Sequence, residues 1–78
     1  KAEKLKDNGN FIGAIKLFKE ILKIKQNFSP ALNNIANCYF LGNQIDLAEK
    51  FYLKCLKIEP VQNQTINNLA LLYFRKNQ

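Results

Sequence analysis

A fixed internal period constrains this chain more than any other feature. Displacing the 78-residue sequence by 34 positions brings residues 1–44 onto 35–78, and thirteen of those 44 pairs are identical. About four identities would arise from composition alone, so the offset marks a repeat array rather than chance. The matches fall on structurally telling positions: Ala2, Ala36 and Ala70 align, as do Ala14 with Ala48, Tyr39 with Tyr73, Phe40 with Phe74, and Asn33-Asn34 with Asn67-Asn68. Phe18 with Tyr52, Leu32 with Ile66 and Ile35 with Leu69 are conservative pairs at the same offset. A unit of this length that cannot hide its own apolar face must stack on its neighbours.

Each unit reads as two helices. Leu32, Ile35, Ala36, Tyr39 and Phe40 follow the i, i+3, i+4, i+7, i+8 spacing of a helical apolar stripe. Ser29-Pro30 opens that helix, with Ser29 as the expected side-chain cap and Pro30 in the first turn, where a missing N–H costs nothing. Gly42-Asn43 closes it, because both residues tolerate the left-handed backbone that ends helices. The second helix carries Leu47, Ala48, Phe51, Tyr52, Cys55 and Ile58 and stops at Pro60. The preceding unit repeats that stripe in Ile15, Leu17, Phe18, Ile21, Leu22 and Ile24, opened by a Gly9-Asn10 turn. Five helices are predicted, over about 2–8, 11–25, 30–41, 45–58 and 64–76. Small residues (Ala2, Ala14, Ala36, Ala48, Ala70) admit close helix approach, and Phe18, Tyr39, Tyr52 and Tyr73 are expected to fill the core beside them.

Composition narrows the function classes. The chain has no His, a single Ser (Ser29) and a single Thr (Thr65), which leaves no His-based triad, no zinc site and almost no oxygen nucleophiles. A non-catalytic role without cofactors is expected, and recognition is the chemistry to look for. Net charge is +6, from 12 Lys+Arg against 6 Asp+Glu, and eleven of the cations are lysines, which read first as a hydrated surface. Cys38 and Cys55 stand among apolar residues and read as buried free thiols of a reducing compartment, so an intracellular, cytoplasmic setting is expected. No apolar run approaches the roughly 18 residues of a membrane span. Residues 26–45 are uncharged but rich in asparagine, and far too polar for lipid.

The segment Leu32-x-x-Ile35-Ala36-x-x-Tyr39, followed by Ala48-x-x-x-Tyr52 and Pro60, resembles the tetratricopeptide repeat, a 34-residue helix–turn–helix unit. The resemblance covers the chain as three pieces: a truncated first helix plus second helix (1–28), a complete repeat (29–62) and the first helix of a third (63–78). It departs from the family pattern at Ala36 and Ala70, where Gly is usual, at Gln26, which stands in the place of Pro60, and at Lys1, where an apolar residue is usual. The resemblance implies an all-α fold of antiparallel helix-turn-helix repeats stacked as an α-solenoid. It also implies a protein-interaction scaffold, here a piece of a longer chain or a component of a larger complex.

In that family the first helix of each repeat lines a concave groove. Carried over by position, the groove presents Asn33, Asn34, Asn37, Phe40 and Leu41 from the complete repeat. The last helix adds Gln64, Asn67, Asn68, Leu71, Phe74 and Arg75, and the truncated one Glu3, Lys6 and Asp7. Residues 29–41 carry no charge, whereas Lys16, Lys19, Lys23 and Lys25 against Glu20 make the preceding helix strongly basic. An amide offers both a donor and an acceptor, so it can hold a peptide unit without reading its side chain. Asn34 and Asn68 match the asparagines that form a ladder along extended peptides in some family members, including the O-GlcNAc transferase superhelix. The implied partner is a protein or peptide held by these amides, with Phe40, Leu71 and Phe74 on its apolar side chains. A carboxylate clamp for the acidic tails of heat-shock chaperones matches at Asn37 and Asn68 but fails at Asn33, where the clamp needs a lysine. Two further readings are the substrate-recruiting arm of a larger enzyme and a 35-residue RNA-binding helical repeat; the 34-residue period and the uncharged groove count against the latter.

Overall fold

The computed structural model describes residues 2–77, with side chains from Phe11 onward. Four helices follow in order: α1 (Ala2–Ile24), α2 (Ser29–Leu41), α3 (Ile45–Ile58) and α4 (Asn63–Lys76). Connections of three or four residues (25–28, 42–44, 59–62) force consecutive helices to pack as antiparallel neighbours. Contacts run α1 to α2, α2 to α3, α3 to α4, and α2 across to α4. Among the described residues the backbone of α1 approaches neither α3 nor α4 closely, so the helices step along an axis rather than close into a bundle. That is the all-α solenoid arrangement the 34-residue period predicts.

The helix ends follow local chemistry, with two departures from expectation. At the end of α2 the left-handed residue is Asn43 (φ 68°), while Gly42 keeps an ordinary φ of −85°. The Asn43 N–H donates to the Phe40 carbonyl (3.0 Å) and the Gln44 N–H to the Tyr39 carbonyl (2.7 Å), the paired bonds of a Schellman closure. At the start of α2 the expected Ser29 cap is absent, and the N-cap position belongs to Phe28. The Ser29 hydroxyl donates to Glu59 Oε1 at 2.5 Å, a charge-assisted bond to the loop after α3. The helix therefore opens on Pro30 and on a tie to the loop after α3.

The largest difference from expectation is α1. The predicted break at Gly9-Asn10 does not form, and one helix runs through it. The stretch 2–8 contains only Ala2 and Leu5 as apolar residues, so folding it back would bury almost nothing. A glycine inside a helix costs only about 1 kcal/mol, which continued hydrogen bonding offsets. The groove residues predicted there, Glu3, Lys6 and Asp7, lie outside the described side chains.

The core sits between α2, α3 and α4. Ala36, Ala48, Tyr52 and Leu72 have no exposed surface and form one cluster with Leu69. Ala36 and Ala48 are both fully buried in this cluster, and the Tyr39 ring lies 5.6 Å from that of Phe51. Each fully buried side chain of Leu size contributes about 1.5–3 kcal/mol. Three core expectations need correction. Tyr73 is 39% exposed, its hydroxyl donating to Glu49 at the surface, whereas the Tyr39 ring packs against Phe51. Ala70, one turn earlier on α4, is exposed as well. Cys38 is only half-buried, whereas Cys55 is fully buried.

Candidate functional site

The two first-type helices, α2 and α4, meet along a polar seam that begins at their N-terminal turns. The Thr65 hydroxyl lies within hydrogen-bond reach of Asn33 Oδ1 (2.9 Å), of Gln62 Oε1 and of the Cys55 thiol (3.4 Å). A hydroxyl has one hydrogen, so Thr65 serves one acceptor at a time, and Cys55 can donate to it or to the Ser29 carbonyl (3.4 Å). Burial pushes the Cys55 thiol above its ordinary range, with a smaller opposing effect from Thr65. A thiol held protonated in this way is a packing group and a weak donor rather than a nucleophile.

One turn on, Asn37 becomes a junction of three helices. Its Oδ1 accepts from the Tyr52 hydroxyl of α3 and from Asn68 Nδ2 of α4 at 3.0 Å. Both lone pairs of one amide oxygen are therefore occupied. Tyr52 has no exposed surface, and its pKa is pushed up to about 12, first by burial and then by the nearby Cys38. At the C-terminal end, Arg75 lies over the Phe40 ring (5.4 Å) and donates to Asn43 Oδ1 at 3.2 Å. On the opposite flank of α4, Glu49 accepts from Lys76 (2.7 Å) and Tyr73 (2.8 Å). These two donors, Lys76 foremost, hold the Glu49 carboxyl below its usual range.

This geometry divides the eleven residues of α2 and α4 read as a groove. Asn33, Asn37, Phe40, Asn68 and Arg75 are brought together, but as the α2–α4 seam itself. Asn33 is only 3% exposed; it was expected on an open face, and Thr65 of α4 bonds to it there. Gln64, Asn67, Leu71 and Phe74 form one exposed stripe on α4 at spacings of three and four residues, with Leu71 58% and Phe74 67% exposed. Asn34 is half-buried and makes no side-chain hydrogen bond to another described residue. Leu41 is exposed at the end of α2. Among the described residues no helix is long and apolar enough to cross a membrane, and no three His, Cys, Asp or Glu side chains gather as a metal site.

The seam's key residues outside that set are Thr65, Tyr52 and the Ser29–Glu59 pair. Their signal in the sequence was slight: Ser29 and Thr65 are the only small hydroxyl residues present, and both stand in the first turn of a helix. Comparison with known families then matches residues 29–60, which hold α2 and α3, to the family described as Tetratricopeptide repeat. No curated protein matches the chain.

Proposed function

We propose that this chain, built around the tetratricopeptide repeat at 29–60, is a non-catalytic scaffold that holds an extended segment of a protein partner on the open side of α2 and α4. Repeats of this family are generally protein-interaction modules. The observation that supports a peptide ligand is the stripe Gln64, Asn67, Leu71 and Phe74, which places two amides and two large apolar side chains in solvent on one helix face. Isolated apolar residues at a surface are ordinary, but an aligned pair beside unpaired amides offers both halves of peptide recognition. Asn68 spends one amide hydrogen on Asn37, leaving its carbonyl and second hydrogen for a ligand, and Asn34 retains all its groups. Asn34 and Asn68 then hold the partner's backbone while Leu71 and Phe74 receive its apolar side chains.

A second reading rests on α1, where Ile12, Leu17 and Ile24 are 70%, 68% and 85% exposed. Such a face supports packing within a larger helical assembly, and it is compatible with peptide capture on α4. The test is selection of binders from a displayed library of extended peptides, followed by titration. Asn34→Ala/Asn68→Ala is expected to weaken the selected peptides by about 1–3 kcal/mol per lost hydrogen-bonded site. Unchanged affinity in the double variant would remove the ladder.

A further inference from the structure

A second groove lies on the other side of the fold. α1 and α3 each pack on α2, and a trough runs between them. Its floor is apolar: Leu32 of α2, buried, with Leu22 of α1 and Phe51 and Ile58 of α3 along the walls. Lys54 and Lys57 line it from α3, and Gln26 and Asn27 close the end beyond α1.

No carboxylate answers these lysines. Glu20 is paired with Lys23, Asp46 and Glu49 face Lys76 on the α4 side, and Glu59 is hydrogen-bonded to Ser29 and Gln62. Glu3 and Asp7 lie outside the described side chains, and none of the other four acids lines the trough. Among the described residues, Lys54 and Lys57 form no ion pair. A strip of apolar surface edged by unanswered positive charge is complementary to a ligand with an apolar ridge and acidic flanks.

We infer that the α1–α3 trough is a docking site for an acidic amphipathic helix of a protein partner. The ligand's apolar residues, spaced i, i+3, i+4 and i+7, rest on Leu22, Leu32, Phe51 and Ile58, and its carboxylates reach Lys54 and Lys57. A helix fits better than a strand, because the walls are helices whose backbone groups are already paired, so recognition must run through side chains. A nucleic acid fits less well. Single strands need free aromatic faces for stacking, and the Phe51 ring is flanked by Tyr39 at 5.6 Å and by the Lys54 ammonium at 5.2 Å. This site is separate from the proposed amide ladder, so each can fail without the other.

The probe is a fluorescein-labelled 16-residue peptide with leucines along one helical face and glutamates on the flanks, titrated by anisotropy against the 78-residue chain. Saturable binding is expected, weakened about tenfold or more by Lys54→Glu/Lys57→Glu and by scrambling the peptide at constant composition. Both lysines are exposed, so the double variant keeps the wild-type helical circular dichroism. Phe74→Asp on α4, and Asn34→Ala/Asn68→Ala, leave this affinity unchanged. Equal binding by the scrambled peptide would reduce the attraction to net charge and overturn the inference. So would full affinity in the lysine double variant. Tighter binding of a single-stranded oligonucleotide that displaces the peptide would assign the trough to nucleic acid instead.

Discussion

Replacing Tyr52 with Phe removes one oxygen atom from a side chain with no exposed surface and tests the junction on which three helices meet. The hydroxyl donates to Asn37 Oδ1, which also accepts from Asn68, so Tyr52→Phe leaves that oxygen with one partner rather than none. The penalty for an orphaned acceptor is thereby avoided, and the loss at neutral pH should be near that of one net hydrogen bond, about 1 kcal/mol. The ring stays in place and the buried area hardly changes, so the urea midpoint should fall at constant slope. The same substitution has a second signature at high pH. Burial raises the Tyr52 pKa from 10.0 to about 12, so the neutral phenol is favoured in the folded state. A group whose folded value is raised gives stability that is fully present below its unfolded value and is lost as pH climbs through the folded one. The window is therefore pH 10 to about 12. Two units across it correspond to roughly 3 kcal/mol, a large share of what a domain this small holds. Urea titrations of both proteins at neutral pH and at two points inside that window measure both effects. Tyr52→Phe should begin less stable and then lose less between pH 10 and 12 than wild type. If the two proteins share one neutral midpoint and one alkaline slope, the hydroxyl is not the link described here.

Two other outcomes follow from the packing and the surface charges. Ala48→Leu should cost about 1–3 kcal/mol, since residue 48 has no exposed surface and sits in the same buried cluster as Ala36; thermal melts that show no loss would mean the α2–α3 contact is not close-packed. Glu49 is held below its ordinary value of 4.5 by Lys76 and Tyr73, so its contribution is present above that value and fades as pH falls through the lowered one. Wild type should thus lose more stability than Glu49→Gln below pH 4.5, and added salt should narrow the gap because the pair is near the surface.

Much of this fold was legible in the sequence because side-chain size and spacing carry it. The stripe Leu32, Ile35, Ala36, Tyr39 and the pair Ala36/Ala48 place α2 against α3, and α3 begins and ends where Pro60 and the Gly42-Asn43 turn require. What was not legible had two physical sources. Gly9-Asn10 looks like a turn locally, but a turn persists only if the arm beyond it has apolar surface to bury, and residues 2–8 have little. Asn33 and Asn37 look like ligand-facing amides because position on a helix specifies a direction and not what stands there. In the structure Thr65, Tyr52 and Asn68 stand there, and they come from elements up to 32 residues away. Polar residues bond to whatever arrives first within reach, so their partners depend on the relative placement of α2 and α4, which periodicity alone does not define.

The Asn37 amide has a consequence for how the array melts. Because a single carbonyl oxygen joins the second helix of its own unit and the first helix of the next, the polar bond within a unit and the one between units share an atom. Undocking α4 gives up the Asn68 bond to this oxygen together with the packing of Leu69 and Leu72, so α4 detaches at a cost shared with α2 and α3. In a linear chain of units, whose stability is a sum of local and nearest-neighbour terms, such sharing enlarges the neighbour term. It pushes melting from piecewise towards all-or-none.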